Sequence, residues 1–389
     1  MESELFAPLG AQTRRLLDEI PALIDKTFPL PGRFRSALPS DVAELSRLLT
    51  SGRGERGLSY LGRPNLLSAY LRFFLPWNLY RLCRLLPGLN ITLAANDRVT
   101  DLGCGPLTFA AALYICRPDL RTVPLEFYSI DRSGPALDAG KKFFAALAGE
   151  NTPWKIHTVR GDINAAKPKP AALVCAVNVF NEMYGDISRN GTEILRRNAE
   201  KAARLLATHA SASSAILVVE PGFPRCGEFI SLLRTVFLKR RRRPLSPCPH
   251  DTACPFPGGG DGGKKRWCHF AFETDDAPAA LHRLSHAARL PKERAVLSFL
   301  FTGAADAPAA DAADAATTNL RVISDAFPLP PNRFGRYCCS REGLILLAGA
   351  KAAIEKTASG ALINAVIKED RDSKSGAFIA EEITTEYTE

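Results

Sequence analysis

From residue 97 the chain alternates short apolar runs with helical patterns, and this alternation constrains the fold more than any other feature. Asp97 to Leu102 reads as a strand ending at a glycine turn, and Pro106 to Cys116 as the helix that follows. Leu125 to Asp131 is a second strand and Ala136 to Ala148 a second helix. Trp154 to Arg160, Ala171 to Phe180 and Ala215 to Glu220 read as further strands, with a long helix across 188–208. Strands buried on both faces appear as continuous apolar runs, and parallel neighbours need crossovers, usually helical. The expected fold is therefore α/β, a doubly wound Rossmann-like sheet spanning residues 96–350. Two later runs, Ala295 to Phe301 and Leu344 to Ala348, are candidates to complete that sheet.

Ahead of this domain, residues 1–95 read as a helical region. Apolar residues recur at three-to-four spacing over 12–26 and 41–50, and Pro64 and Pro76 mark helix boundaries in an aromatic-rich stretch. That stretch is expected to cap the following domain. After Glu220 comes a basic helix from Gly227 to Arg243, within a basic, cysteine-rich insertion over 224–275 that includes the glycine loop 258–263. Residues 304–317 read as a low-complexity linker and 351–389 as a C-terminal extension whose last 20 residues are expected to be disordered.

No apolar run reaches the roughly 20 residues of a membrane span. The start lacks a secretory pattern, and Glu2 and Glu4 argue against a mitochondrial transit peptide. A cytoplasmic, bacterial-type setting is expected ahead of the mitochondrial matrix. Structural disulfides are not expected there, and Cys116 and Cys175, set in apolar runs, read as buried small hydrophobes. The formal net charge of +9 suits a polyanionic partner. Arg234, Lys239 to Arg243, Lys264, Lys265 and Arg266 concentrate that charge around the first cysteines.

The turn Asp101-Leu102-Gly103-Cys104-Gly105-Pro106 closes one strand and opens a helix. Gly103 and Gly105 allow a ligand to approach the backbone, and the helix start offers free N–H groups. Asp131 ends the second strand, where an acid can grip two ribose hydroxyls, and Asp162 follows the third. A nicotinamide fingerprint requires a third glycine where Thr108 stands, so it fails. The turn resembles the first motif of class I S-adenosylmethionine-dependent methyltransferases, with Leu107 in place of a small residue. That resemblance implies a cofactor site formed by Asp101, Gly103, Gly105, Asp131 and Asp162, the last two holding ribose and adenine. Asn181 and Glu182, after the fourth strand, occupy the expected acceptor crevice and are the candidate catalytic residues.

Cys248, Cys254 and Cys268 are spaced unlike a standard zinc finger, although His250 and His269 keep a Cys/His zinc site open. An iron–sulfur cluster needs four soft ligands and tolerates irregular spacing, with Cys339 or Cys338 as the fourth. The segments CPHDTACP, KKRWCHF, EPG, DLGCGP and YLGRPNLLSAYLRFFLPWN together resemble the Rsm22 family over residues from about 55 to 348. The resemblance implies a class I methyltransferase fold carrying a [4Fe-4S] cluster on Cys248, Cys254, Cys268 and Cys339. It further implies association with rRNA of the small ribosomal subunit in assembly or translation. No membrane or DNA partner is expected. Two activities fit: a SAM-dependent rRNA methyltransferase, or a non-catalytic assembly factor that retains the fold.

Overall fold

The computed structural model describes residues 5–50, 52, 60–184, 191–256, 266–304 and 318–381. Its first sheet is built on β1 (Arg98–Leu102), β2 (Glu126–Asp131), β3 (Lys155–Arg160), β4 (Ala171–Val177) and β5 (Ala210–Pro221). These five lie parallel in the order β3-β2-β1-β4-β5. β8 (Arg294–Thr302) extends the sheet antiparallel to β5, and both β6 (Pro244–Ser246) and β7 (Phe270–Glu273) pair with β8.

The central strands β1, β4 and β5 are buried on both faces, which explains their unbroken apolar runs. On one face Val99, Phe127, Leu173 and Leu217 pack against the helices Thr108–Cys116 and Gly134–Ala148 and against the N-terminal helices. On the other, Leu102, Val174, Ile216 and Val218 meet the helices Thr192–Thr208 and Pro224–Lys239. The glycine turn opens at the carboxyl end of β1, beside the reversal of strand order between β1 and β4, where open α/β sheets bind ligands.

The N-terminal helices Ala11–Thr27 and Leu38–Leu49 bury Leu17, Ile20, Ile24, Val42 and Leu45 in the same core. A continuous helical run from Pro64 to Leu85 passes through a π-helical turn at Tyr70–Phe74, just before Pro76. Proline has no N–H to close the preceding turn, so the ladder re-registers there.

The strand expected over 344–348 does not complete the first sheet. It belongs to a second one, built from β9 (Thr318–Val322), β10 (Phe327–Leu329), β11 (Arg333–Ser340), β12 (Gly343–Gly349), β13 (Leu362–Arg371) and β14 (Phe378–Glu381). Its order is β10-β11-β12-β14-β13-β9, and β9 pairs again with β11, so five strands close into a barrel. Leu320, Val322, Cys338, Ile345, Leu347 and Ala365 fill its interior, plugged by Ile354 of the helix Lys351–Lys356. Disorder over the last 20 residues is thus corrected for 370–371 and 378–381, which lie in strands, while 382–389 fall outside the described residues. The expected linker, apart from residue 304, also falls outside them, as do the loop 258–263 and Lys264 and Lys265. The basic helix stops at Lys239, and β4 ends at Val177, earlier than the residue patterns suggested.

Candidate functional site

Gly103 and Gly105 adopt φ of +69° and +53°, conformations that cost glycine nothing. A Cβ on Gly103 would lie 2.6 Å from Val179 Cγ2, so a side chain is excluded by space as well as by torsion. The turn wraps onto Asp131. Its Oδ2 accepts the Gly105 N–H at 2.8 Å and its Oδ1 the Ser133 N–H at 2.8 Å. Burial raises the Asp131 pKa above the usual carboxylate range, and these two N–H groups oppose the rise. Each oxygen keeps a lone pair for a further donor.

Asp101 lies deeper, 1% exposed. Its Oδ1 accepts the Cys175 thiol at 3.5 Å and its Oδ2 has no partner, while burial pushes its pKa up to about 7. Asp162 sits beyond β3, ion-paired with Arg132 and accepting the Asn164 N–H at 2.9 Å. It borders a cavity of about 380 Å³ walled by Tyr128, Ile130, Val159, Lys167 and Lys169. Asp101, Gly103, Gly105 and Asp131 are therefore contiguous, and Asp162 stands one strand away.

Across the turn, Asn178 takes a left-handed φ of 57° at the end of β4 and redirects the chain into the short helix Phe180–Met183. The sequence reading missed what holds this helix in place. Glu220, at the end of β5, is fully buried and accepts the N–H groups of Phe180 at 2.8 Å and Asn181 at 3.1 Å. Burial pushes its pKa up to about 8, so at neutral pH it is chiefly the neutral acid. An acid ending an apolar strand was the available signal. Asn178 Oδ1 and Asn181 Oδ1 are buried without partners. Glu182 Oε2 instead accepts the Tyr60 hydroxyl at 3.3 Å.

The helical cap thus does more than pack on the domain. Tyr70 and Asn78 join Asp101, Gly103 and Asn178 around a narrow cleft of about 20 Å³. Burial first, then the charges of Glu182 and Asp131, keep the Tyr70 phenol firmly protonated.

The second site lies where barrel and sheet meet. Cys248, Cys254 and Cys268 all raise the pKa of Cys339 electrostatically, after burial, so the four thiols occupy one neighbourhood. Cys338 points the other way along β11, into the barrel interior, where burial pushes its pKa up to about 12. Arg234 reaches in from the helix Pro224–Lys239, donating from Nε to Cys248 Sγ at 3.1 Å and from Nη2 to the His250 carbonyl at 2.8 Å. Arg321 of β9 donates to the carbonyls of Pro247 at 2.8 Å and Gly360 at 2.7 Å, and the thiols partly offset its loss of hydration. His250 Nε2 lies 3.2 Å from Cys339 Sγ, and burial drives its pKa down to about 4. His269 stacks on Trp267 at 4.7 Å instead. Among the described residues no three or more His, Cys, Asp or Glu stand in a metal-ion arrangement as the side chains now lie. The donor chemistry fits a soft metal group: four sulfurs share one pocket with two buried guanidiniums that balance thiolate charge.

The same buried guanidinium corrects the reading of the basic arm. Arg234 serves the thiols, and Arg242 is buried, donating to the carbonyls of Ser214 at 2.7 Å and Ser211 at 2.5 Å. Lys239, Arg240, Arg241 and Arg266 are exposed and remain available to a polyanion. Among the described residues no helix is long and apolar enough to cross a membrane.

The strand order, the glycine turn and the acid ending β2 define the class I methyltransferase fold. The family model described as mitochondrial small ribosomal subunit Rsm22 matches residues 99–326, more than half of the chain. The chain belongs to the Rsm22 family. No curated protein matches it in sequence. Similar solved structures include a SAM-dependent methyltransferase from Thiobacillus denitrificans in complex with S-adenosyl-L-homocysteine, with 14% identity and a TM-score of 0.33 over 59% of this chain and 91% of that one. A second, from Geobacter sulfurreducens, has 14% identity and a TM-score of 0.33 over 58% and 90%. The magnesium protoporphyrin IX methyltransferase of Synechocystis PCC 6803 with bound SAM has 10% identity and a TM-score of 0.33 over 68% and 96%. Scores this low add nothing to the strand order itself.

Proposed function

We propose that the chain is a SAM-dependent methyltransferase that acts on rRNA of the small ribosomal subunit. The observation that carries this reading is a set of orphaned buried acceptors around the glycine turn: Asp101 Oδ2, Asn178 Oδ1 and Asn181 Oδ1. Buried polar atoms are normally satisfied, so these acceptors, two of which (on Asp101 and Asn178) line one cleft, suit a ligand rich in donors and positive charge. S-adenosylmethionine offers an ammonium, a sulfonium and ribose hydroxyls. Asp131 accepts the ribose, Asp101 faces the positive charge, and Asp162 stands at the adenine side. Asn181 and Glu182 orient the acceptor against the methyl group, which places the work of catalysis in positioning. The small-subunit partner follows from the family, and the exposed Lys239, Arg240 and Arg241 suit its phosphates.

Cys248, Cys254, Cys268 and Cys339 would hold a [4Fe-4S] cluster, with zinc as the competing occupant. Bound there, it supplies a cross-link between the 244–268 segment and β11 of the barrel. Arg321 of the barrel already ties to that segment through the Pro247 carbonyl, and Arg234 ties the segment to the helix Pro224–Lys239 through the His250 carbonyl. Iron and sulfide analysis of anaerobically purified protein decides between the two occupants, because full zinc with no iron excludes the cluster.

The narrow cleft favours a second reading, a non-catalytic assembly factor. At about 20 Å³ it admits the cofactor only after the cap carrying Tyr60 and Tyr70 moves away. Incubating purified small subunits with methyl-labelled SAM separates the two. Label entering rRNA with the parent chain and not with Asp131→Ala supports methyl transfer. Subunit association without label supports the assembly factor.

A further inference from the structure

The C-terminal barrel has a topology that nothing in the methyltransferase reading requires. In chain order its closing strands are β9, β11, β12, β13 and β14. Spatially they run β9-β11-β12-β14-β13 and back to β9. Every pair is antiparallel except β12 with β14, which is parallel, and a helix connects β12 to β13. This is the five-stranded Greek-key barrel of the OB-fold. Such barrels take oligonucleotides or oligosaccharides on the outer face of their second and third strands, between the loops joining strands one to two and four to five. The corresponding elements here are β11 and β12, the 323–332 connection and the 372–377 loop.

Fold alone does not assign a ligand, so the side chains on that face must decide. Because Cys338 points inward, its neighbour Tyr337 points out of the barrel, on the same side as Cys339, and is half-buried where it packs against the core of the first sheet. Tyr337 pairs with Phe327 of the first loop, ring centroids 5.0 Å apart. The guanidinium of exposed Arg266 lies 4.9 Å over the Tyr337 ring, and its Nη1 donates to the Ser375 carbonyl of the other loop at 3.3 Å. Arg266 therefore joins β11 to the 372–377 loop. Beside it on the chain, Trp267 and His269 stack on one another. Asp325, the acid of the first loop, is already neutralised by Arg294 at 2.8 Å and 2.5 Å. Paired aromatics with an exposed guanidinium are the equipment for stacking bases and holding a phosphate, and the chain's positive charge favours nucleic acid over a neutral sugar.

We propose that the patch where Tyr337 of β11 emerges beside the thiol pocket, rather than the covered remainder of that strand face, is a single-stranded RNA site, with the partly exposed Tyr337 and Phe327 as the stacking platform and Arg266 as the phosphate clamp. The choice of RNA rests on the small-subunit reading above, whereas the platform does not. Tyr337 stands two residues from Cys339, so the thiol pocket braces the strand that carries the platform.

The test is fluorescence anisotropy with the full chain and a labelled, unstructured RNA of about 12 nucleotides, within the range of ~4–16 nucleotides bound per such barrel. Tyr337→Leu is expected to weaken binding about tenfold, the scale of one lost stacking contact. Arg266→Ala is expected to weaken it several-fold and to lower the salt dependence by about one counterion. A blunt duplex of the same length should bind less tightly than the single strand. Parent-like binding by both variants, with loss only in the combined Lys239→Glu, Arg240→Glu and Arg241→Glu variant, would overturn the proposal. Should Tyr337→Leu not fold, the exposed Arg266→Ala decides alone. Loss of the methyltransferase reading shows separately, as absent SAM binding with RNA binding intact.

Discussion

Glu220 offers a prediction that reaches from one buried carboxyl to the whole acceptor pocket. Its pKa is near 8 in the folded chain against 4.5 for a free glutamate, because burial disfavours the charged form. The folded state therefore holds a proton that the unfolded state has released, and the resulting stabilisation fades as pH rises through 8. Integrating that difference from about pH 6.5 to about pH 8 gives a loss on the order of 2 kcal/mol attributable to this group. Glu220→Gln preserves volume and one acceptor for the Phe180 and Asn181 N–H groups but cannot titrate. The variant is less stable than the parent at pH 6.5, since one N–H now faces an amide NH2. The gap between the two should then shrink by an amount on the order of 2 kcal/mol on going to pH 8. Asp101, pushed up to about 7, loses stability in the same direction in both proteins and cancels from the difference. Urea unfolding of parent and variant at the two pH values is the assay. A gap that stays constant or widens refutes the claim that Glu220 is buried as a neutral acid beneath the acceptor helix.

Further outcomes follow from the same geometry. Cys339→Ser should abolish bound iron in anaerobic preparations, whereas Cys338→Ala, altering the opposite face of β11, should leave it intact; metal analysis of both reads this directly. Gly103→Ala should destabilise the chain by about 1–3 kcal/mol in thermal melts, because the added methyl meets Val179 and φ is positive. Arg242→Ala should cost a similar amount, by orphaning the carbonyls of Ser211 and Ser214, without changing RNA affinity. Arg240→Ala should do the reverse.

The sequence made the sheet legible because β1, β4 and β5 are buried on both faces and read as continuous apolar runs. Its glycine turn was legible for a related reason, since glycine is the residue that takes those torsions without cost, and Asp131 was legible as the acid that ends an apolar strand. The barrel stayed hidden because only β12 forms an unbroken apolar run, while β13 is largely exposed and the polar residues of β9 and β11 interrupt their patterns. In β13, Ile363, Ala365 and Ile367 alternate inward, but a charged run from Lys368 to Asp372 follows and resembles a tail. Glu220 was hidden because an acid after an apolar run reads as the strand's exit to solvent, and here the helix Phe180–Met183 covers it. The run Lys239 to Arg243 has no internal phase, so nothing in it marked Arg242 as the one folded inward. Choosing between Cys338 and Cys339 required knowing which face of β11 looks into the barrel.

The central claim is that Asp131 and the glycine turn form a cofactor site, and calorimetric titration with S-adenosylmethionine tests it most directly. The parent chain should bind one equivalent, and Asp131→Ala should bind about a hundredfold more weakly, the scale of two lost charge-assisted hydrogen bonds. Equal affinity in the two proteins, or no heat from the parent while it still associates with small subunits, would contradict the account.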